Sequence, residues 1–162
     1  MTTTGTTTPT GSTAGTKEKI VPTISSDTAG PLGAIHLPRL WAKLTLAAHG
    51  RLAEGYDECG PGFDAMTINN LNLVKDRVVQ FVREHKPTYM QFEKWVVDQN
   101  GGKIDPDTIK KHNEAVRAYC HADDLAGTMR TSSGIPHDQI KDAVTLNTVE
   151  DLDELHRQAT ST

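Results

Sequence analysis

The sequence predicts a compact, irregular all-α bundle of about six helices behind a Thr-rich tail. Three observations predict it. Apolar residues recur at helical spacing over most of the chain. Start and stop residues punctuate it at short intervals. No alternating β-branched segment is paired with a hairpin turn, and no repeat recurs at a solenoid period.

The chain has 162 residues, a length that favours one domain. Its first sixteen residues, MTTTGTTTPTGSTAGT, hold nine threonines and no large aliphatic side chain after Met1. Such a tract buries too little apolar surface to offset its ordering entropy. Residues 1–30 are therefore expected to be a disordered or extended tail. Within it, Ile20, Val21 and Ile24 suit a strap lying against the domain. A single helical domain is expected over residues 31–158, with 159–162 frayed.

The first helix is predicted in LPRLWAKLTLAAHG. Pro38 suits the first helical position and Gly50 the stop. Leu40, Trp41, Leu44 and Ala48 form its apolar stripe. A Gly/Pro-rich loop, RLAEGYDECGPG, follows from Arg51 to Gly62. FDAMTINNL is the second helix, and VKDRVVQFVREH the third. Thr88 and Gln91 form a capping box for the fourth, which should bury Tyr89, Phe92, Trp95 and Val96 and turn Glu93 outward. Asp105-Pro106 opens the fifth, with Ile109, His112, Asn113, Val116, Tyr119 and Cys120 inward. A weaker helix is expected over Asp123 to Arg130, and a helical stretch over Pro136 to Val144. The last should open at Thr148 with Asp151 in its first turn and bury Val149, Leu152 and Leu155.

Several functional classes are not expected. The net charge is -4, with both signs mixed along the chain and no basic stripe interleaved with aromatics, so nucleic acid is not an expected partner. No apolar run approaches a membrane span, and the start lacks the pattern of a signal peptide. With two isolated cysteines, Cys59 and Cys120, a cytoplasmic location is the expectation. The sequence has no Walker loop, no Rossmann fingerprint, no G-x-S-x-G and no H-E-x-x-H. The expectation is therefore no cofactor and no metal. If the chain is an enzyme, acid–base chemistry is the natural class.

The candidate site starts at the first helix. If Pro38 is the first helical residue, Leu37 is the cap and His36 lies just outside. The free N–H groups of that turn favour anions and disfavour a protonated histidine. His36 could then serve as a neutral base. Arg39 and Lys43, four apart, could bind an anion beside the apolar stripe. In the alternative, His36 packs locally and both cations are solvated, as is ordinary at the edge of an amphipathic helix. Tyr56, in a loop able to fold over a pocket, could donate to an oxyanion. Asp57, Glu58 and Asp64 could orient His36 or Arg39, although Asp64 also fits a plain first-turn carboxylate. Tyr89 is a second candidate acid, or a core tyrosine with a satisfied hydroxyl. Phe92 and Trp95 supply either an apolar wall or core. Asn113 either holds two helices in register or lines a polar pocket with His112.

The segments GPLGAIHLPRLWAK, LAEGY, GFDAM, REHKPTYMQFEKWV and KKHNEAVRAY, in this order, resemble a small bacterial family, the domain of unknown function numbered 5069. The resemblance spans roughly Gly30 to Leu155. It implies one largely helical domain of bacterial origin and transfers no reaction. The matching positions are His36, Pro38, Arg39, Tyr56, Phe63, Asp64, Pro87, Tyr89, Phe92, Trp95 and Asn113; the Thr-rich tail lies outside it.

Three functional classes follow from these residues. One is a cofactor-independent enzyme moving protons on a small anionic, cyclic or aromatic metabolite: a tautomerase, an isomerase or a lyase. Here His36 is the base, Tyr56 or Tyr89 the acid, Arg39 and Lys43 the anion site, and Asp64, Phe92, Trp95 and Asn113 further contacts. The second is a non-catalytic helical binding or interaction module, with which a homo-oligomer is compatible. The third is a hydrolase using a His36-activated water, which needs a carboxylate within hydrogen-bond reach of that histidine.

Overall fold

A computed structural model describes residues 16–136 and 138–161. The Thr-rich stretch before residue 16 lies outside the described residues. The described part is all-α and compact, with seven helices: α1 (Leu37–Ala48), α2 (Phe63–Asn70), α3 (Lys75–His85), α4 (Tyr89–Gln99), α5 (Pro106–Ala118), α6 (Asp123–Ser132) and α7 (Ala143–Thr160). None is long and apolar enough to cross a membrane. Among the described residues, strand-type pairing is limited to three isolated bridges.

Helix α1 is central because its stripe is its most apolar surface. Leu37, Leu40 and Leu44 are almost fully buried against Val78 and Val82 of α3 and Phe92 and Val96 of α4. Each such side chain contributes roughly 1.5–3 kcal/mol by leaving water. Helix α2 packs on α5, and α7 contacts both α5 and α6. Thr88 and Gln91 form the reciprocal cap at the start of α4. Asp105 caps α5 by accepting from the Asp107 amide at 2.8 Å, with Pro106 in the first turn.

Residues 16–36 form an extended strap across this bundle, with Val21 and Ser26 buried. Its backbone is tied to the loop after α1 through Ile20 N–H to Arg51 O (2.7 Å) and Ala53 N–H to Ile20 O (3.1 Å).

The structure corrects several local expectations. Helix α1 begins at Leu37, so His36 is its N-cap and Pro38 its second residue. No helix covers the described residues between Pro136 and Asp142. Helix α7 starts instead at Ala143, where Asp142 accepts from the Thr145 amide at 2.7 Å. Thr148 is therefore an interior residue whose hydroxyl bonds Val144 O at 2.7 Å. The inward face of α7 differs accordingly: Asp151 is 4% exposed, whereas Leu152 and Leu155 are 54% and 42% exposed. Tyr119 and Cys120 fall beyond the end of α5 and are exposed. Glu93 points inward, accepting from the Leu32 amide at 3.0 Å and the Tyr89 hydroxyl at 2.6 Å. The strap explains this: its backbone N–H needs an acceptor where it crosses α4.

Candidate functional site

The site begins with an unusual backbone. His36 has φ 65°, in the left-handed region that non-glycine residues rarely adopt. Its ring makes no hydrogen bond to the first-turn amides of α1. It turns instead between two partners: Nδ1 lies 3.0 Å from Ser26 Oγ in the strap, and Nε2 lies 2.8 Å from Asp64 Oδ1 in α2. Asp64 also accepts, through Oδ2, from the Lys43 ammonium and from the Gly60 amide at 2.7 Å. Burial raises the Asp64 pKa, but the His36 hydrogen bond and the Lys43 charge outweigh it, lowering the pKa from 3.8 to about 2. An ionised carboxylate only accepts. Nε2 of His36 therefore carries the proton, and Nδ1 accepts from the Ser26 hydroxyl. Burial also holds the His36 pKa below 6.5 against the pull of Asp64, so the ring is neutral at pH 7.

A second cluster is built on the next turn of α1. Arg39 meets Asp151 of α7 in a two-pronged pair at 2.5 and 3.0 Å. The same guanidinium donates to the strap carbonyls of Pro22 (2.6 Å) and Ile24 (2.8 Å). The Tyr56 hydroxyl donates to Asp151 Oδ1 at 2.9 Å. Burial, and then the charge of Asp151, push the Tyr56 pKa well above its ordinary value, so the phenol keeps its proton and acts as a donor.

Both clusters open on one cleft of about 400 Å³, lined by His36, Arg39, Lys43, Tyr56 and Asp64 together with Asp151. Glu54, Asp57, Glu150, Glu154 and Arg157 add charge around it. The lining thus holds six carboxylates against three permanent cations. The Phe63 ring lies 5.4 Å from that of His36. Among the described residues, no group of three or more His, Cys, Asp or Glu side chains is placed to hold a metal ion.

Five of the nine residues singled out in the sequence therefore meet in one place. The other four are elsewhere. Tyr89 bonds Glu93 and packs edge-on against Trp41, with ring centroids 5.8 Å apart. Phe92 is fully buried in the main core. Trp95 stacks on Phe81 at 4.5 Å. Asn113 holds backbone: Oδ1 accepts from the Ile35 amide at 3.0 Å, and Nδ2 donates to Gly33 O at 2.8 Å. Asn113 thus ties α5 to the segment before α1 rather than to a second helix, and it does not line the cleft. The opening of α1 does not offer Arg39 as a free anion site, because Asp151 and two carbonyls occupy its fork.

Sequence reasoning did not single out Ser26 and Asp151. Ser26 lies in a polar strap without periodicity, and nothing local marks it. A first-turn reading of Asp151 hides its role; with Asp142 as the N-cap of α7, an acid on the buried face of an interior turn is the signal of a buried cation. Comparison of the chain with family models, with curated proteins and with solved structures finds no match.

Proposed function

We propose that the cleft binds a small polar molecule and moves protons on it without a cofactor, as a tautomerase, isomerase or lyase does. One observation carries this reading: an imidazole held through Nε2 to a buried carboxylate at 2.8 Å lines a cleft beside a lysine and a tyrosine that both donate to carboxylates there. A carboxylate behind a histidine stabilises the imidazolium formed when the ring takes a proton. Lys43 has one hydrogen-bond partner among the described residues, Asp64, and its remaining N–H groups suit a developing oxyanion. The Tyr56 hydroxyl, which donates to Asp151 in the unliganded cleft, becomes a second donor by turning from that carboxylate to the ligand. The carboxylate excess favours a substrate with at most one anionic group, placed at Lys43.

The basic nitrogen of His36 is capped by Ser26, which does not line the cleft. In this mechanism the Ser26 hydroxyl turns away, the Nδ1 lone pair accepts a substrate proton, and Lys43, joined by Tyr56 as its hydroxyl swings from Asp151 to the substrate, holds the electron pair left on oxygen. The same His36–Asp64 pair meets the requirement of the hydrolase alternative, in which water occupies the place of the substrate proton. A second reading, a binding module without chemistry, is favoured by a separate observation: His36, Arg39, Asp64 and Asp151 are all already paired within the chain.

The test is solvent deuterium exchange, followed by NMR, into a panel of small oxo acids, amino acids and sugars. Exchange dependent on the protein and reduced about 100-fold or more in folded His36→Asn is the expected result. Exchange that survives in folded His36→Asn removes His36 as the base. Ligand-induced stabilisation with no exchange in any panel member selects the binding module.

A further inference from the structure

We infer that Asn113 and His112 of α5 are positioning residues for the cleft: they grip both peptide groups of Ile35 and so hold His36 in its left-handed conformation with Nε2–H on Asp64.

Each contact is specific. The Ile35 amide donates to Asn113 Oδ1 at 3.0 Å. The Ile35 carbonyl accepts from His112 Nε2 at 2.9 Å. Asn113 Nδ2 reaches two residues further back, to Gly33 O at 2.8 Å. His112 is fixed in turn from behind, where the Asn70 amide lies 3.2 Å from its Nδ1. With the Nε2 proton committed to Ile35 O, Nδ1 is the acceptor, which fits an amide N–H₂ facing it. Burial favours the neutral ring this requires.

The backbone between Gly33 and His36 needs such a clamp. Gly33 has φ 84° and His36 φ 65°. A left-handed non-glycine residue persists only where its surroundings over-determine it. The His36 amide donates to Thr28 O at 3.1 Å, which ties this point to the strap; α5 supplies the opposing hold one residue earlier. Ile35 is 1% exposed and packs with Phe63 and Val116, so its side chain fixes position while the two polar side chains fix the orientation of its peptide planes. Neither Asn113 nor His112 lines the cleft. They act on His36 through Ile35.

This inference rests on His36 being the functional histidine of the cleft, but its test reads no turnover. In the full chain labelled with ¹⁵N-histidine, long-range ¹H–¹⁵N spectra report the tautomer and titration of each ring. His36 should show the Nε2–H tautomer alone. In Asn113→Ala, which frees the Ile35 amide, His36 should populate both tautomers, and its pKa should move up toward 6.5. In Asn113→Asp, which restores the acceptor for the Ile35 amide, the single tautomer should return. Ile109→Val removes a methyl group from the same helix without touching Ile35, and should leave the His36 signals in place. Should Asn113→Ala not fold, Asn113→Ser is read in its stead, with the same expected loss of the single tautomer.

Unchanged His36 signals in a folded variant without the amide overturn the inference. So does an equal change in Ile109→Val, which would make the effect one of general stability. Absence of exchange activity in the wild type, with the tautomer loss still present in Asn113→Ala, overturns the catalytic reading and leaves the positioning intact.

Discussion

Two tyrosine–carboxylate pairs in this molecule use the same chemistry to opposite ends. Tyr56 donates to Asp151 at 2.9 Å on the margin of the cleft. Tyr89 donates to Glu93 at 2.6 Å beneath the strap. Both carboxylates are buried, and both phenols are pushed above their ordinary pKa, first by burial. The difference lies in what each pair faces. Tyr56 borders open volume and a guanidinium. Tyr89 and Glu93 close on the strap so tightly that a Cβ added at Gly30 would collide with both. Residue type and burial do not by themselves separate a site from a scaffold; the neighbouring space does.

The largest predicted effect breaks the cleft side. Asp151→Ala leaves the Arg39 guanidinium buried with two carbonyls and no counter-charge. It should cost about 3–5 kcal/mol, the usual loss when one partner of a buried ion pair is removed. Urea unfolding measures it, and a loss below about 1 kcal/mol would show that Arg39 is effectively solvated.

Acid comes next. The folded-state pKa of Asp64 lies below its ordinary value, so its contribution is complete above about pH 4 and is lost as pH falls toward 2. A shift from 3.8 to about 2 corresponds to roughly 2 kcal/mol. His36 and His112 add an earlier loss of the same sign. Both are held neutral in the fold, so the unfolded chain gains protons first as pH drops below 6.5. Denaturant midpoints should therefore fall in two stages on acidification. Asp64→Asn should remove the lower one; persistence of that lower stage in the variant would assign it to other carboxylates.

The smallest effect sharpens the comparison most. Tyr56→Phe and Tyr89→Phe each delete one hydroxyl, and each should cost about 1 kcal/mol in thermal or urea unfolding. Tyr56→Phe should also weaken ligand-induced stabilisation, whereas Tyr89→Phe should leave it at the wild-type level. Equal behaviour in the ligand assay would remove the distinction between the two pairs.

The parts of the fold legible in the sequence are those written locally. Thr88 with Gln91 and Asp105 with Pro106 mark helix starts because each cap is a contact across two or three residues. The apolar stripe of α1 reads correctly because one face carries nearly all its large side chains. The start and inward face of α7 misread for a physical reason: Leu152 and Leu155 have the spacing of a core stripe, while Asp151 turns inward because Arg39 awaits it there. Glu93 misread likewise, since its partner is a backbone N–H of the strap and leaves no trace in α4 itself. Within the site, the charge at the opening of α1 and the loop beyond it are the local signals that point to His36, Arg39, Lys43, Tyr56 and Asp64. Tyr89, Phe92 and Trp95 carry the same residue-type signal but pack away from the cleft. Ser26 carries no local signal, since a serine in an extended polar segment acquires a role only when a distant ring meets it.

Arg39 and Asp151 are 112 positions apart in the chain. A ribosome adding residues at about 5–20 per second therefore leaves the Arg39 guanidinium without its carboxylate for several seconds after it emerges. During that interval the strap carbonyls of Pro22 and Ile24, already synthesised, are the partners it can hold. A nascent chain that stops short of α7 consequently lacks the wall of the cleft that carries Asp151, and Arg39 has no buried counter-charge until that last helix docks.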